Sequence, residues 1–129
     1  MLNTRRVLLV EDDFINAMVM EQYFDRTFDF KHVNNGHDAL AELGNRDYDV
    51  VIMDINLGDE EMDGVKTLSL IRQKPELNDV VVFAVTGYAM AGDEAKFMVS
   101  GFDRYIAKFV NFEELEQTIL QEPGRGFAG

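Results

Sequence analysis

The stretch RVLLVEDD, residues 6–13, runs four apolar residues, Val7–Val10, directly into the three carboxylates of Glu11–Asp13. A short and continuously apolar run is typical of a strand buried on both faces of a parallel sheet. Two further runs of this kind follow, at Val50–Met53 and Val80–Val85. The sequence therefore predicts three central strands, the first of which ends in a concentration of negative charge.

The segments between these runs have the apolar spacing of helices. Helical patterns are found over residues 14–26, from Ala39 to Leu43, from Val65 to Arg72, over residues 91–100 and after the predicted cap Asn111. A second strand alternates apolar and polar residues over Phe28–His32, as an edge strand can, and Arg104–Ala107 is a short fifth strand. We predict a flavodoxin-like α/β fold: a doubly wound, five-stranded parallel sheet of order 2-1-3-4-5 with helices on both faces.

Length and composition narrow the function classes. With 129 residues and no cysteine, the chain predicts one domain over residues 1–121, with a flexible tail or linker stub over 122–129 and no room for an output domain. The N-terminus lacks the apolar length of a signal peptide or membrane span, so we expect a cytoplasmic protein. The 24 acidic against 12 basic residues give a net charge of −12, which argues against direct binding of nucleic acid.

The acidic residues follow strands that should be neighbours. Ligands of an open parallel sheet bind beyond the carboxyl ends of the strands, where the strand order reverses, here between strands one and three. We therefore expect Asp12 and Asp54 to lie side by side, with Glu11 close, while Asp13 caps the first helix. Two like charges about 4 Å apart repel by roughly 4 kcal/mol at an effective dielectric near 20, so the cluster needs protons or a cation. Oxygen ligands that are partly open to water favour Mg²⁺.

Strands four and five add a hydroxyl and an ammonium to the same edge. Strand four ends at Thr86-Gly87, and strand five is followed by Lys108. A carboxylate nucleophile, a metal ion, a hydroxyl and a lysine are the groups needed to move a phosphoryl group onto an aspartate.

On these residues, the chain resembles a response-regulator receiver domain from about Arg5 to Gln121. The resemblance implies that Glu11 and Asp12 are the acidic pair that binds Mg²⁺ or Mn²⁺, and that Asp54 is both a metal ligand and the phospho-acceptor. It also implies a backbone-carbonyl metal ligand at Asn56. Any one of these motifs alone is weak evidence for the family. Four strand ends in the right order, each with the right residue type, are specific evidence for it.

The same resemblance implies the activity and the partners. A histidine kinase or a histidine phosphotransfer protein would donate the phosphoryl group, and Thr86 and Lys108 would assist the transfer. Thr86 and the aromatic switch Tyr105 would then move inward and change the surface of helix four, strand five and helix five for a downstream effector protein or a fused domain. The chain would not be an enzyme: the only reactions it would promote are its own phosphorylation and dephosphorylation. Asn56 and Tyr88 would tune the dephosphorylation, which the bulk of Tyr88 is predicted to slow.

Two stretches depart from the family pattern. Family members usually have a cis proline after the lysine, whereas this chain has Lys108-Phe109, for which we predict a trans bond because a cis bond without proline costs roughly 2.5–4 kcal/mol. The loop LGDEEMDG places Gly58 where proline is common. Its acids are predicted to form a solvated loop, with a second cation site as the alternative.

Several other readings of the residues stay open. The first helix is apolar around much of its circumference. Either these residues pack in the core, or some of them form a surface that binds a partner. His32 and His37 have no partner spacing, which favours surface or edge roles. A flavodoxin-like cofactor carrier is disfavoured because acids at 11–13 would repel a phosphate, and an aspartate-nucleophile phosphatase because Asn56 replaces the required second acid. The remaining alternative is a receiver-like interaction module that is not phosphorylated.

Overall fold

The structure is a computed structural model that describes residues 5–58, 61–87 and 93–123. The strands are β1 (Arg6–Val10), β2 (Asp29–Val33), β3 (Val50–Asp54), β4 (Val81–Thr86) and β5 (Arg104–Ala107). The α-helices are α1 (Phe14–Phe24), α2 (Gly36–Asn45), α3 (Gly64–Arg72), α4 (Asp93–Val99) and α5 (Phe112–Gln121), and Pro75–Leu77 forms a short 3-10 helix. All strand pairs are parallel, in the order β2-β1-β3-β4-β5. The predicted fold class and strand order are confirmed.

Side-chain caps fix where the helices begin. The Asp13 carboxylate accepts hydrogen bonds from the backbone N–H groups of Ile15 and Asn16, at 2.9 and 3.1 Å, as predicted for the N-cap of α1. Asn111 likewise accepts from the N–H of Glu114 at 3.1 Å and begins α5. Because these caps sit at the carboxyl ends of β1 and β5, they also fix how the chain leaves the sheet.

Two apolar layers enclose the sheet. One is formed by α2 and α3 against one face, and the other by α1 and α5 against the opposite face. Every residue of β3 is buried, whereas no residue of β2 is fully buried, as expected for a central strand and an edge strand. Within the described residues, none of the helices has the length and apolar character needed to cross a membrane.

Strand register aligns the ends of the strands at one edge of the sheet. Val10 pairs with Met53, Asp54 with Val85, and Thr86 with Ala107. The residues that follow β1 and β5 therefore emerge beside the last residues of β3 and β4.

Candidate functional site

Three carboxylates meet where β1 and β3 end. Glu11 and Asp54 are almost fully buried, with 5% and 4% of their surfaces exposed, whereas Asp12 is exposed. One oxygen from each of the three carboxylates lies within 4.8 Å of the others. The structure therefore brings together the carboxylates that the sequence placed at neighbouring strand ends.

Glu11 has an unusual protonation equilibrium. Burial, together with a hydrogen bond to Asp54 and the negative charge of Asp54, raises the pKa of Glu11 from 4.5 to about 8, against smaller opposing effects of Asp13 and Lys108. In the protein without a cation, Glu11 is thus mostly protonated at neutral pH and can donate to the Asp54 carboxylate. A proton offsets the repulsion within the cluster, and a cation that displaces it would do the same.

Lys108, the residue after β5, brings a positive charge to the cluster. Its Nζ lies 3.2 Å from Asp54 Oδ2 and 3.5 Å from Glu11 Oε1. Partial burial lowers the pKa of Lys108, but the charges of Asp54 and Glu11 and the hydrogen bonds to them raise it by more, so the net pKa is raised. Lys108 therefore remains an ammonium group directly beside Asp54.

The peptide bond between Lys108 and Phe109 is cis, so the prediction of a trans bond was wrong. The prediction considered only the intrinsic preference of a bond without proline. In the folded chain, Lys108 is held on two sides: its backbone N–H donates to the Thr86 carbonyl at 2.9 Å, and its side chain reaches Asp54. These tertiary contacts override the local preference.

The two predicted switch residues lie on one face of the sheet. Thr86 is the last residue of β4 and is buried, with 3% of its surface exposed. Tyr105 pairs with Ala84 in β5 and packs against the layer of α2 and α3. Because alternate residues of a strand share a face, Thr86 points to the same side as Ala84, as Tyr105 does. Tyr88 lies outside the described residues, so its effect on dephosphorylation stays a prediction.

The loop after β3 closes around the carboxylates. The backbone N–H of Asn56 donates to Asp54 Oδ1 at 3.1 Å. Gly58 has a φ of 73°, which proline cannot adopt, and a Cβ at this position would lie 2.8 Å from Asp12 Oδ2. This close approach gives a physical reason for glycine where the family pattern has proline. Further along the loop, Asp63 accepts from the N–H of Lys66 and caps α3, while residues 59 and 60 lie outside the described part of the chain.

These groups line an open cleft of about 470 Å³. Its lining is polar and comprises Glu11, Asp12, Asp13, Asn16, Asp54, Asn56, Gly58, Gly87 and Lys108. Carboxylate and carbonyl oxygens that remain accessible to water are the ligands that Mg²⁺ prefers, whereas zinc and copper favour nitrogen and sulfur. The donor set therefore fits a hard divalent cation.

Exposed apolar side chains flank the cleft. On α1, Phe14 and Ile15 are 69% and 60% exposed, and Met18 and Val19 are also exposed. Phe109, the residue after Lys108, is fully exposed, and with Val19 it lines a cavity that adjoins Asp54. We call Phe14, Ile15, Met18, Val19 and Phe109 the rim. Only the α1 part of this surface was considered from sequence; the place of Phe109 in it depends on the path of the loop after Lys108.

Sequence reasoning also missed a contact of His32. Its Nε2 lies 2.7 Å from the backbone carbonyl oxygen of Glu11, whereas the sequence predicts only a surface or edge role for this residue. The register pairs Leu9 with His32 and Val10 with Val33. The place of His32 near the end of the second predicted strand, beside strand one, was the available signal.

Comparison with known proteins identifies the family. Residues 7–120 match the profile of the response regulator receiver domain. The chain belongs to the response regulator receiver domain family. Over 96 residues it is 35% identical to the signal transduction histidine-protein kinase BarA of Escherichia coli K12, covering 74% of this chain and 10% of that protein. This chain thus spans only about a tenth of the length of that kinase.

Two further similarities extend over nearly the full length of the chains compared. This chain is 28% identical over 117 residues to the polar-differentiation response regulator DivK of Brucella ovis, and the match covers 90% of this chain and 94% of DivK. The receiver domain of the sensor histidine kinase PA1611 from Pseudomonas aeruginosa has a TM-score of 0.82 and 27% identity, covering 92% of this chain and 97% of that chain. That structure contains a magnesium ion coordinated in its active site cleft.

Proposed function

We propose that this receiver domain is a phospho-accepting switch in which Asp54 takes a phosphoryl group from a phosphohistidine. The donor would be a histidine kinase or a histidine phosphotransfer protein. One observation carries the proposal: the Lys108 ammonium lies 3.2 Å from Asp54 Oδ2, within a cluster of three carboxylates that opens into a cleft. A buried carboxylate paired with a cation and open to solvent on one side is arranged for attack on phosphorus.

The chemistry of the transfer follows from these groups. An oxygen of Asp54 attacks phosphorus, the P–N bond of the donor breaks, and its electron pair returns to the imidazole ring. Lys108 offsets negative charge on the phosphoryl oxygens, and the Thr86 hydroxyl donates a hydrogen bond to one of them. Glu11, Asp12, Asp54 and the Asn56 carbonyl would hold Mg²⁺ or Mn²⁺, which supplies further positive charge at the phosphoryl group.

The output of the switch would be a change in the face formed by α4, β5 and α5. Thr86 ends β4 and Tyr105 lies in β5 on the same side of the sheet. A hydroxyl drawn toward the phosphoryl group leaves space that the half-buried Tyr105 ring can occupy. A downstream effector protein or a fused domain would bind the altered face.

The rim is proposed as the contact surface for the phosphohistidine donor. Asp54 also lines an adjacent cavity whose wall includes Val19 of α1 and Phe109, so the surface of a donor that reaches Asp54 would meet both parts of the rim. Exposed apolar residues next to a polar cleft are typical of a protein contact. This assignment extends the partner-surface interpretation of the first helix.

Phosphorylation by a small phosphodonor tests the function directly. We expect phosphoramidate with Mg²⁺ to add one phosphoryl group to the wild-type chain, as measured by intact-protein mass spectrometry, and EDTA to prevent it. Asp54→Asn removes the nucleophile and should abolish the modification. The matched control is Asp47→Asn, because Asp47 is exposed and precedes the opposite end of β3.

Two results would contradict the proposal. Modification that persists in the Asp54→Asn variant would place the acceptor elsewhere. A wild-type chain that remains unmodified with Mg²⁺ would instead favour the receiver-like interaction module that is not phosphorylated.

A further inference from the structure

His32 makes a specific contact with the main chain of the acidic cluster. Its Nε2 lies 2.7 Å from the carbonyl oxygen of Glu11. A carbonyl oxygen has no hydrogen to donate, so His32 must be the donor and must carry a hydrogen on Nε2. The neutral Nε2–H tautomer and the imidazolium ion both carry this hydrogen, and the bond therefore does not depend on the charge of the ring.

Because of this contact, both the backbone N–H and the backbone C=O of Glu11 are hydrogen-bonded to β2. The backbone N–H of Glu11 donates to the Val33 carbonyl at 3.1 Å, one residue beyond Val10 and Val33, the last pair of β1 and β2. With His32 bound to the carbonyl oxygen of the same residue, β2 fixes Glu11 through its N–H and its C=O. The following peptide is constrained as well, because Asp13 N–H lies 3.3 Å from Glu11 Oε2 and Asp13 caps α1.

Fixing this main chain fixes the direction of two carboxylates. Glu11 and Asp12 are consecutive, and the carbonyl that His32 binds belongs to the peptide that joins them. Rotation of this peptide would turn the Asp12 side chain away from Asp54 and Glu11. A metal site depends on such outer contacts, since their loss typically weakens metal affinity by about 10–100-fold.

We propose that His32 is a positioning residue for divalent-cation binding, acting through the Glu11–Asp12 peptide. This inference rests on the proposed function, because it takes the three carboxylates as the cation site. The competing explanation is that His32 only stabilises the edge strand β2. The two explanations predict different effects of replacing His32. A positioning role predicts weaker cation binding by a protein that still folds, whereas a purely structural role predicts lower stability with unchanged cation affinity.

The test compares Mg²⁺ affinity among variants of the full chain by NMR or calorimetric titration. His32→Phe keeps a ring but removes the donor, and should weaken Mg²⁺ binding about tenfold. His32→Gln places an amide N–H near the position of Nε2 and should restore most of the affinity, whereas the shorter His32→Asn should not. His37→Phe is the control, since His37 is exposed on α2.

Melting temperatures in EDTA separate the two explanations. A His32→Phe variant that melts lower but binds Mg²⁺ as the wild type does would overturn the proposal. Should His32→Phe fail to fold, equal affinities of the Gln and Asn variants would overturn it. A wild-type chain that does not bind Mg²⁺ would refute the proposed function itself, and this result is distinct because it appears before any variant is measured.

Discussion

On the acidic side of the cleft, hydrogen bonds to β2 and the cap of α1 hold the main chain of the carboxylate residues; on the side of the loop after β5, charge holds the functional side chain of Lys108. Glu11 is fixed through its N–H and C=O by β2, and Asp13 is fixed as the cap of α1. On the loop side, the backbone N–H of Lys108 is bound to the Thr86 carbonyl, but its ammonium group is held by the carboxylates of Asp54 and Glu11, and the next residue, Phe109, is fully exposed. The acidic side can therefore keep its shape without the loop, whereas the position of the Lys108 ammonium group depends on the charge of the cluster that it faces.

Among variants that keep the Asp54 nucleophile, replacement of Lys108 should have the largest effect on the proposed reaction. Lys108→Met removes the ammonium while retaining the length of the chain, and we expect phosphorylation by phosphoramidate to slow by about a hundredfold, comparable to the loss of one preorganised charge-stabilising donor. The measurement is the initial rate of phosphoprotein formation with saturating Mg²⁺. Lys66→Met, at an exposed position on α3, should react at the wild-type rate. An unchanged rate in Lys108→Met would remove Lys108 from the mechanism.

The positions of the strands and acids could be predicted because they depend on local patterns. The alternation of polar residues in β2 marks it as an edge, and the continuous apolar runs mark the central strands. Once the strand order is known, the residues that follow β1 and β3 must lie at the same edge. The meeting of Glu11, Asp12 and Asp54 follows from that order alone.

The features that the sequence did not predict depend on contacts between residues that are distant in the chain. The cis bond before Phe109 goes with a lysine held by Thr86 and Asp54, which are remote in sequence. The contact of His32 depends on the exact register of β2 against β1. The raised pKa of Glu11 depends first on burial, which no local pattern around residue 11 reveals. Sequence patterns thus locate the functional groups, whereas folding sets their geometry and protonation.

The protonation of Glu11 on the acidic side should make Mg²⁺ binding depend on pH. The pKa of Glu11 is raised to about 8, so below that pH a cation that uses Glu11 must displace a proton. Between about pH 6 and 8, affinity should rise by up to about tenfold per pH unit, as measured by titration calorimetry. In the metal-free protein, the same raised pKa gives a contribution to stability that is complete below pH 4.5 and is lost as the pH rises through about 8.

Glu11→Gln provides the control for this linkage. The variant has no carboxyl group to titrate at residue 11, so its Mg²⁺ affinity should be weaker and nearly flat over the same pH range. If the wild type and Glu11→Gln showed equal slopes, the proton released on binding would come from another group.

The smallest effect is expected from Phe109, and it should depend on the phosphodonor. Because the ring is fully exposed, Phe109→Ala should change the free energy of unfolding by less than about 0.5 kcal/mol. If the rim contacts the donor, transfer from a histidine phosphotransfer protein that phosphorylates the wild type should fall about fivefold, since truncating a contact residue costs about 1 kcal/mol. The rate with phosphoramidate should stay the same, and Val99→Ala, at an equally apolar and 88% exposed position on α4, should alter neither rate. An equal loss with both donors would show that Phe109 acts by shaping the loop that carries Lys108, and the loop side would then depend on more than the charge it faces.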